Sequence, residues 1–404
     1  MVKILAPVGN HEMLIAAIDA GADEVYLGIK EFNMRANAKS FELSELNNIV
    51  KLCHDNNVKL NLALNTIIYD EEIEKIDFVL KTAKDAGVDA IICWDMAVLK
   101  KAKELGFEIH LSTQASIANF SALKFFYDQG VKRFILAREL SLEQLKNLSF
   151  QIKKNNLDVE LECFVHGAMC VALSGRCFTS QFLYGKSANR GDCIQPCRRR
   201  YKVIDFESED ELELENNFVM SAKDLCTINF IDKIIDSGID VFKIEGRGRS
   251  PEYVSTVVSC YREAINAYAS SSLDDNLKNS LFKKLKSVYN RKFSSGFFLG
   301  KPLSSDFSDL YGSDSSEKKV FVGVVKHWYD KINVAEVELQ ANPLKSGYKL
   351  LVQGPFTGSK EQILSSMQIN HKFVEEASKG QLVAIKFDFK LKEKDKVFFI
   401  KEKK

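Results

Sequence analysis

From the first residue to about residue 265 the chain repeats one pattern. A short apolar run is followed by a polar or glycine-containing turn, then by a segment whose apolar residues recur every three or four positions. Apolar runs at residues 2–5, 24–28, 58–64, 90–93, 108–112, 133–137, 159–165 and 241–245 predict strands. Segments such as 11–20, 71–86 and 252–268 predict the helices between or after them. Eight alternations fit a closed (β/α)8 barrel, a TIM-like α/β fold, better than an open sheet; a doubly wound fold is the alternative. A further strand-like run at 218–221 disturbs the count.

Within the strands, alternation assigns faces. His110, Ser112 and Gln114 fall on one side and Ile109 and Leu111 on the other; Asn61, Ala63 and Asn65 oppose Leu62 and Leu64. Glu162, Phe164 and His166 share a face by the same rule, as do Lys243 and Glu245. Strands that are apolar on one side and polar toward their C-terminal ends suit a barrel whose helices cover the outside. The strand ends supply Arg35, Asn65, Asp95, Gln114, Arg138, His166 and Arg247, and barrel enzymes keep their chemistry at that end.

Beyond residue 270 the chain becomes polar and serine-rich, with an apolar-aromatic island, NRKFSSGFFLG, at 290–300. From residue 318 the pattern turns to short β-like runs (VFVGVVKHW, INVAEVEL, GYKLLVQG, QLVAIKF, KVFFIK) separated by turn residues. The expected organisation is a barrel over 1–270, a connector packing on it over 271–316, and a small C-terminal β-barrel over 317–404.

Composition narrows the class. Hydrophobic residues make up 46% and charged residues 27% of 404, as in ordinary soluble domains. No apolar run reaches the roughly 18 residues that span a bilayer, and the first residues carry no secretory pattern. The expectation is therefore a cytoplasmic protein with no membrane partner, in which thiols stay reduced. A net charge of +1 gives no whole-molecule sign of nucleic-acid binding, so any basic surface is local, as in Arg198, Arg199 and Arg200.

Against that background one segment stands out. Five of the nine cysteines (Cys170, Cys177, Cys193, Cys197 and Cys226) lie in glycine- and cation-rich sequence between 168 and 226. In a reducing compartment such a cluster favours metal binding or catalysis over disulfides. Structural zinc prefers paired C-x2-4-C spacings, which only Cys193 and Cys197 satisfy. An iron–sulfur cluster takes four thiolates from irregularly spaced loops and fits better; zinc and plain reactive thiols are the alternatives. A thiol nucleophile with His166 as its base would leave the other cysteines unused. No HExxH, GxSxG or P-loop string occurs.

The run ECFVHGAMC at 162–170, continuing through SGRC at 174–177 to Ser180, resembles the signature of peptidase family U32, the collagenase-like family. APVGN (6–10), FNMRANA (32–38), SANRGDC (187–193), SAKDLC (221–226) and KIEGR (243–247) also resemble family blocks. The resemblance covers residues 1 to about 300, and the C-terminal module resembles a small barrel appended in many members. Better-understood members are iron–sulfur proteins that support hydroxylation of the tRNA wobble uridine using prephenate, of a 23S rRNA cytidine, or of ubiquinone precursors. SANRGDCIQPCRRRY and FNMRANAKSF look most like the wobble-uridine subgroup.

The resemblance implies a 4Fe–4S cluster on Cys170, Cys177, Cys193 and Cys226, with Cys197 as the substitute ligand. It also implies prephenate, a dicarboxylate, as co-substrate. Arg35, Arg138, Arg176 and Arg190 would hold its carboxylates, because guanidinium groups suit them. Arg35, with His166 and Glu162 relaying protons or orienting the substrate, completes the expected catalytic set. A tRNA or rRNA substrate would need its base splayed into the barrel mouth and its phosphates held by Arg198, Arg199, Arg200 or the C-terminal module. The competing classes are a collagenase-like peptidase and a non-catalytic iron–sulfur scaffold working with a protein partner.

Overall fold

A computed structural model of the chain describes every residue except 31, 35–40, 174, 205, 209–210, 213–217 and 404. Eight parallel strands close into a barrel: β1 (Lys3–Pro7), β2 (Glu24–Leu27), β3 (Lys59–Ala63), β4 (Ala90–Cys93), β5 (Glu108–Leu111), β6 (Arg133–Ile135), β7 (Glu160–Gly167) and β9 (Val241–Ile244). Each pairs with its predecessor, except that β9 pairs with β7 and also with β1, which closes the ring. All eight predicted strands are present, with ends shifted by a residue or two.

Helices alternate with the strands as the apolar spacing predicted. Those that cover the ring are α1 (His11–Asp19), α2 (Leu46–Asp55), α3 (Ile73–Asp85), α4 (Met96–Glu104), α5 (Phe120–Asp128) and α6 (Leu142–Lys154). Several start where a short polar side chain satisfies free backbone donors. Asn10 Oδ1 accepts from the Met13 amide at 2.9 Å, Asp95 Oδ1 from Ala97 at 2.9 Å, and Asn119 Oδ1 from Ala122 at 2.9 Å. Ser141 and Gln144 form a reciprocal capping box on α6.

Between β7 and β9 the chain leaves the ring. The excursion carries α7 (Thr179–Tyr184) and returns through β8 (Asp224–Cys226), which lies antiparallel to the end of β7. The predicted run at 218–221 is not the extra strand. It is a turn in which the Ser221 amide donates to the Phe218 carbonyl at 2.9 Å, with Phe218 and Val219 buried. The strand-like segment is β8, three residues further on.

After β8 come α8 (Ile231–Asp236), β9, α9 (Pro251–Ala269), α10 (Asp275–Ser287) and β10 (Phe293–Ser294), which extends the sheet beside β8. The C-terminal region is an eight-stranded antiparallel sheet over its own buried cluster, which includes Val322, Val337, Leu350, Val383 and Phe387. Its strand Gly358–Ile363 packs on α1 and α9 of the barrel. Among the described residues no helix is long and apolar enough to cross a membrane.

Candidate functional site

The barrel floor is plugged by buried charges. The Arg133 guanidinium donates to both Glu24 oxygens at 2.6 and 2.8 Å and through Nε to Glu160 at 2.8 Å; Asn61 adds a bond to Glu24 at 2.7 Å. Burial alone would raise the Glu24 carboxyl, but the Arg133 bonds and charge overcome it and hold the pKa near 2. Glu162 belongs to this floor. It accepts from Lys243 Nζ at 2.7 Å and lies 3.6 Å from Arg133. The alternation that placed Glu162 in the lumen was right, but the structure puts it in the ion network and out of reach of an entering substrate.

Lys243 links the floor to the mouth. Its ammonium stands 4.5 Å from the Tyr26 ring centroid and 5.5 Å from that of Phe164, and burial draws its pKa below the usual lysine range against the pull of Glu162. Above it opens a cavity walled by Asn65, Gln114, Arg138, Lys243, Glu245 and Arg247 among others. Three cations face one carboxylate there. The Asn65 and Gln114 amides hold each other in place: Asn65 Nδ2 donates to Gln114 Oε1 at 3.0 Å, and Gln114 Nε2 to the Asn65 carbonyl at 2.9 Å. Arg138 lies 4.0 Å over the Phe164 ring and donates to the Ala168 carbonyl at 2.8 Å. This is where barrel enzymes bind ligands.

Of the residues expected here, Arg138 is brought to the cavity and Arg176 and Arg190 are not. Arg190 is turned outward, forked onto the Glu72 carboxylate and bonded to the Ile67 carbonyl. Arg176 is exposed and stacks 4.5 Å over the Trp94 ring. Arg35 lies outside the described residues. Sequence reading missed Lys243 as a site residue; the available signal was a lysine in the otherwise apolar strand Val241–Ile244.

His166 is displaced for a local reason. The register between β7 and β9 slips at Lys243/Ile244, so His166 pairs with Ile244 instead of following Phe164 into the lumen. Its ring packs outside the barrel against Tyr253, Tyr261 and Phe293. Burial, with Arg249 nearby, drives its pKa down to about 3, so the imidazole is neutral at ordinary pH. It does not line the cavity above Lys243.

A second cavity adjoins the first. Cys170, Cys177, Cys193 and Cys197 all line it, among Val171, Ala172, Leu173 and Pro196. Met34 and Gly175 line both cavities and form the partition. Gly175 has φ +79°, which residues with side chains rarely adopt, and a Cβ there would press on the ends of Met34 and Gln114, 2.5 Å from Cε and 2.7 Å from Nε2. Cys226 is not in this group. It is buried beside Tyr261 in β8, where desolvation pushes its thiol up to about 12. Of the expected set, Cys170, Cys177 and Cys193 are brought together, and the substitute Cys197, not Cys226, lies with them.

Four thiols around a mostly apolar cavity fit an iron–sulfur cluster, which spreads its ligands around a polynuclear core. Among the described residues no three His, Cys, Asp or Glu converge tightly enough to hold a single ion. Hydroxyls stand by the sulfurs: Thr179 Oγ1 is 3.2 Å from Cys177 Sγ, and Ser180 Oγ donates to Cys193 Sγ at 3.9 Å. Burial raises the Cys197 thiol; Arg198 opposes that and the three neighbouring thiols add to it. Arg198 fixes the loop by donating to the Ala222 carbonyl at 2.7 Å, Ser221 Oγ at 3.2 Å and the Met169 carbonyl.

The sequence profile of peptidase family U32 matches residues 9–307. A protein named as an uncharacterized protease in Methanocaldococcus jannaschii is 44% identical over 407 residues, covering 100% of this chain and 99% of its own. One named collagenase in Porphyromonas gingivalis is 42% identical over 403 residues, covering 98% and 97%. One named tRNA hydroxylation protein P1 in Bacillus subtilis is 34% identical over 360 residues, covering 87% and 83%. With a family profile across most of the barrel and relatives that align along nearly the whole chain, the chain belongs to peptidase family U32.

Proposed function

We propose that this chain is an RNA-hydroxylating enzyme acting on the wobble uridine of tRNA. In this reading a 4Fe–4S cluster sits on Cys170, Cys177, Cys193 and Cys197, and prephenate occupies the barrel mouth. The observation that carries the proposal is the adjacency of a four-thiol cavity and a cation-lined barrel mouth across a wall of Met34 and Gly175. The relative named for tRNA hydroxylation supports the substrate class.

A 4Fe–4S cluster, when bound, supplies one-electron redox capacity. The rest falls to the chain. Arg138, Lys243 and Arg247 take the two carboxylates of the small molecule, and Glu245 limits the surplus charge. Asn65 and Gln114, locked together, present amides that orient it. The lining of the thiol cavity is mostly apolar, with Cys170 exposed and Cys177, Cys193 and Cys197 part-buried.

Two names among the relatives point to proteolysis. Among the described residues, however, His11, His54, His110 and His327 bond carboxylates and His166 bonds Tyr261, and no histidine ring bonds a serine, threonine or cysteine side chain. That leaves a nucleophile–base pair without a structural basis.

The test is anaerobic purification with iron and sulfide quantitation, followed by mass spectrometry of tRNA from a strain lacking the gene. Wild type should carry about four iron and four sulfide. Cys197→Ala should lose them and Cys226→Ala keep them. Lys243→Met should keep the cluster but fail to restore the added oxygen on uridine. Stoichiometric zinc without iron, or unchanged tRNA in the deletion strain, would defeat the proposal.

A further inference from the structure

The segment from Cys170 to Ile204 is chemically unlike the rest of the molecule. It holds seven lysines and arginines against one acid, Asp192, a local net of +6 in a chain whose total is +1. Some of that charge is spent internally, since Arg190 is bound to Glu72 and Arg198 to backbone carbonyls. Arg176, Lys186, Arg199, Arg200 and Lys202 remain on the exposed surface. Interleaved with them are aromatic rings that an isolated globule would bury: Phe178 is 58% exposed, Phe182 83% and Tyr184 41%.

Their arrangement is not that of a collapsed core. Phe178 and Phe182 lie 6.0 Å apart with planes tilted by 38°, and both stay largely exposed. The Arg199 guanidinium sits 5.0 Å over the Tyr184 ring, with Nη1 donating to the Tyr184 hydroxyl. These rings are carried by α7 and the residue before it, and the same segment supplies Cys177 and Cys193 to the thiol cavity.

We infer that this surface is a stacking platform for single-stranded RNA, on which bases flanking the reacting nucleotide lie against Phe182 and Tyr184 while Arg199, Arg200 and Lys202 take the phosphates. The inference rests on the RNA-hydroxylase reading and adds where and how the nucleic acid is held. Ring faces accept any base, and cations beside them follow the backbone, which is the pairing that single-strand binding uses. A protein partner would be equally served by the apolar rings, but a local +6 selects a polyanion. Of the three consecutive arginines, Arg198 is a fixture of the loop, and Arg199 and Arg200 are the RNA contacts.

The experiment compares wild type with Phe182→Ala/Tyr184→Ala for binding of unmodified tRNA by fluorescence anisotropy, anaerobically and at fixed salt. Iron content and oligomeric state are measured on the same samples. The double variant should lose about tenfold or more in affinity at unchanged iron content, since a stacked base is worth roughly 1–3 kcal/mol. Phe182→Tyr, which keeps the ring, should bind like wild type. Equal affinity in wild type and double variant overturns the inference and leaves the hydroxylase reading intact. A wild-type chain that binds no tRNA overturns both. A changed oligomeric state with unchanged RNA affinity assigns the rings to a protein interface and also overturns it.

Discussion

At His166 and Glu24 the structure attaches a pH dependence to single side chains. His166 has a folded pKa near 3, against about 6.5 for an unfolded histidine. Below pH 6.5 the unfolded chain takes up a proton that the native site refuses, so this contribution to stability falls as pH drops from about 6.5 toward 3. Glu24 acts lower: its contribution is complete above about 4.5 and is lost as pH falls toward 2. Thermal melts across pH should show both phases, and His166→Phe, which suits the surrounding rings, should remove the upper one. Arg133→Met leaves Glu24 buried without its cation and should cost about 3–5 kcal/mol, read by denaturant unfolding.

Among the elements, β7 holds most of the difference between sequence and structure. Eight strands were legible because each is an apolar run with a polar C-terminal end, and the polar ends of β3 and β5 gave Asn65 and Gln114 correctly as mouth residues. The register slip opposite Lys243/Ile244 was not legible, because alternation counts residues and a bulge adds one. That single slip removed His166 from the site. The grouping of Cys197, and not Cys226, with the other three thiols was not legible either: the resemblance named Cys226 with Cys197 as its substitute, and nothing in the sequence shows that a short strand folds back antiparallel and buries Cys226. Gly167 ends β7 at φ +106°, and a Cβ would stand 2.4 Å from the Glu245 carbonyl oxygen. Gly167→Ala should therefore destabilise the barrel by about 3 kcal/mol in denaturant unfolding, and displace Glu245 enough to weaken binding of a small dicarboxylate.

At the scale of the whole molecule, two cores are joined by a narrow seam. Gly358, at φ +70°, lies so close to α1 that a Cβ would meet Ile15 Cγ2 at 2.8 Å. Glu252 on α9 binds Lys319 at 2.9 Å and Gln353 at 2.7 Å from the C-terminal sheet. Each side has its own buried cluster, so the seam sets whether they unfold together. Gly358→Arg should split a single calorimetric transition into two while leaving the iron content unchanged.

The hydrogen-bonded return of β8 onto β7 has a further consequence. Gly167 pairs with Leu225 and His166 with Cys226, so the chain leaves the ring and rejoins it at neighbouring positions. The four thiols and the basic aromatic surface lie in the sequence between those two neighbouring positions, docked on the barrel by side-chain contacts such as Arg190 to Glu72. Such a cassette can lengthen, shorten or lose its cysteines over evolutionary time without breaking a barrel strand. Descent of the scaffold and descent of its chemistry are thereby uncoupled, and one ancestral ring can serve chains with different reactions.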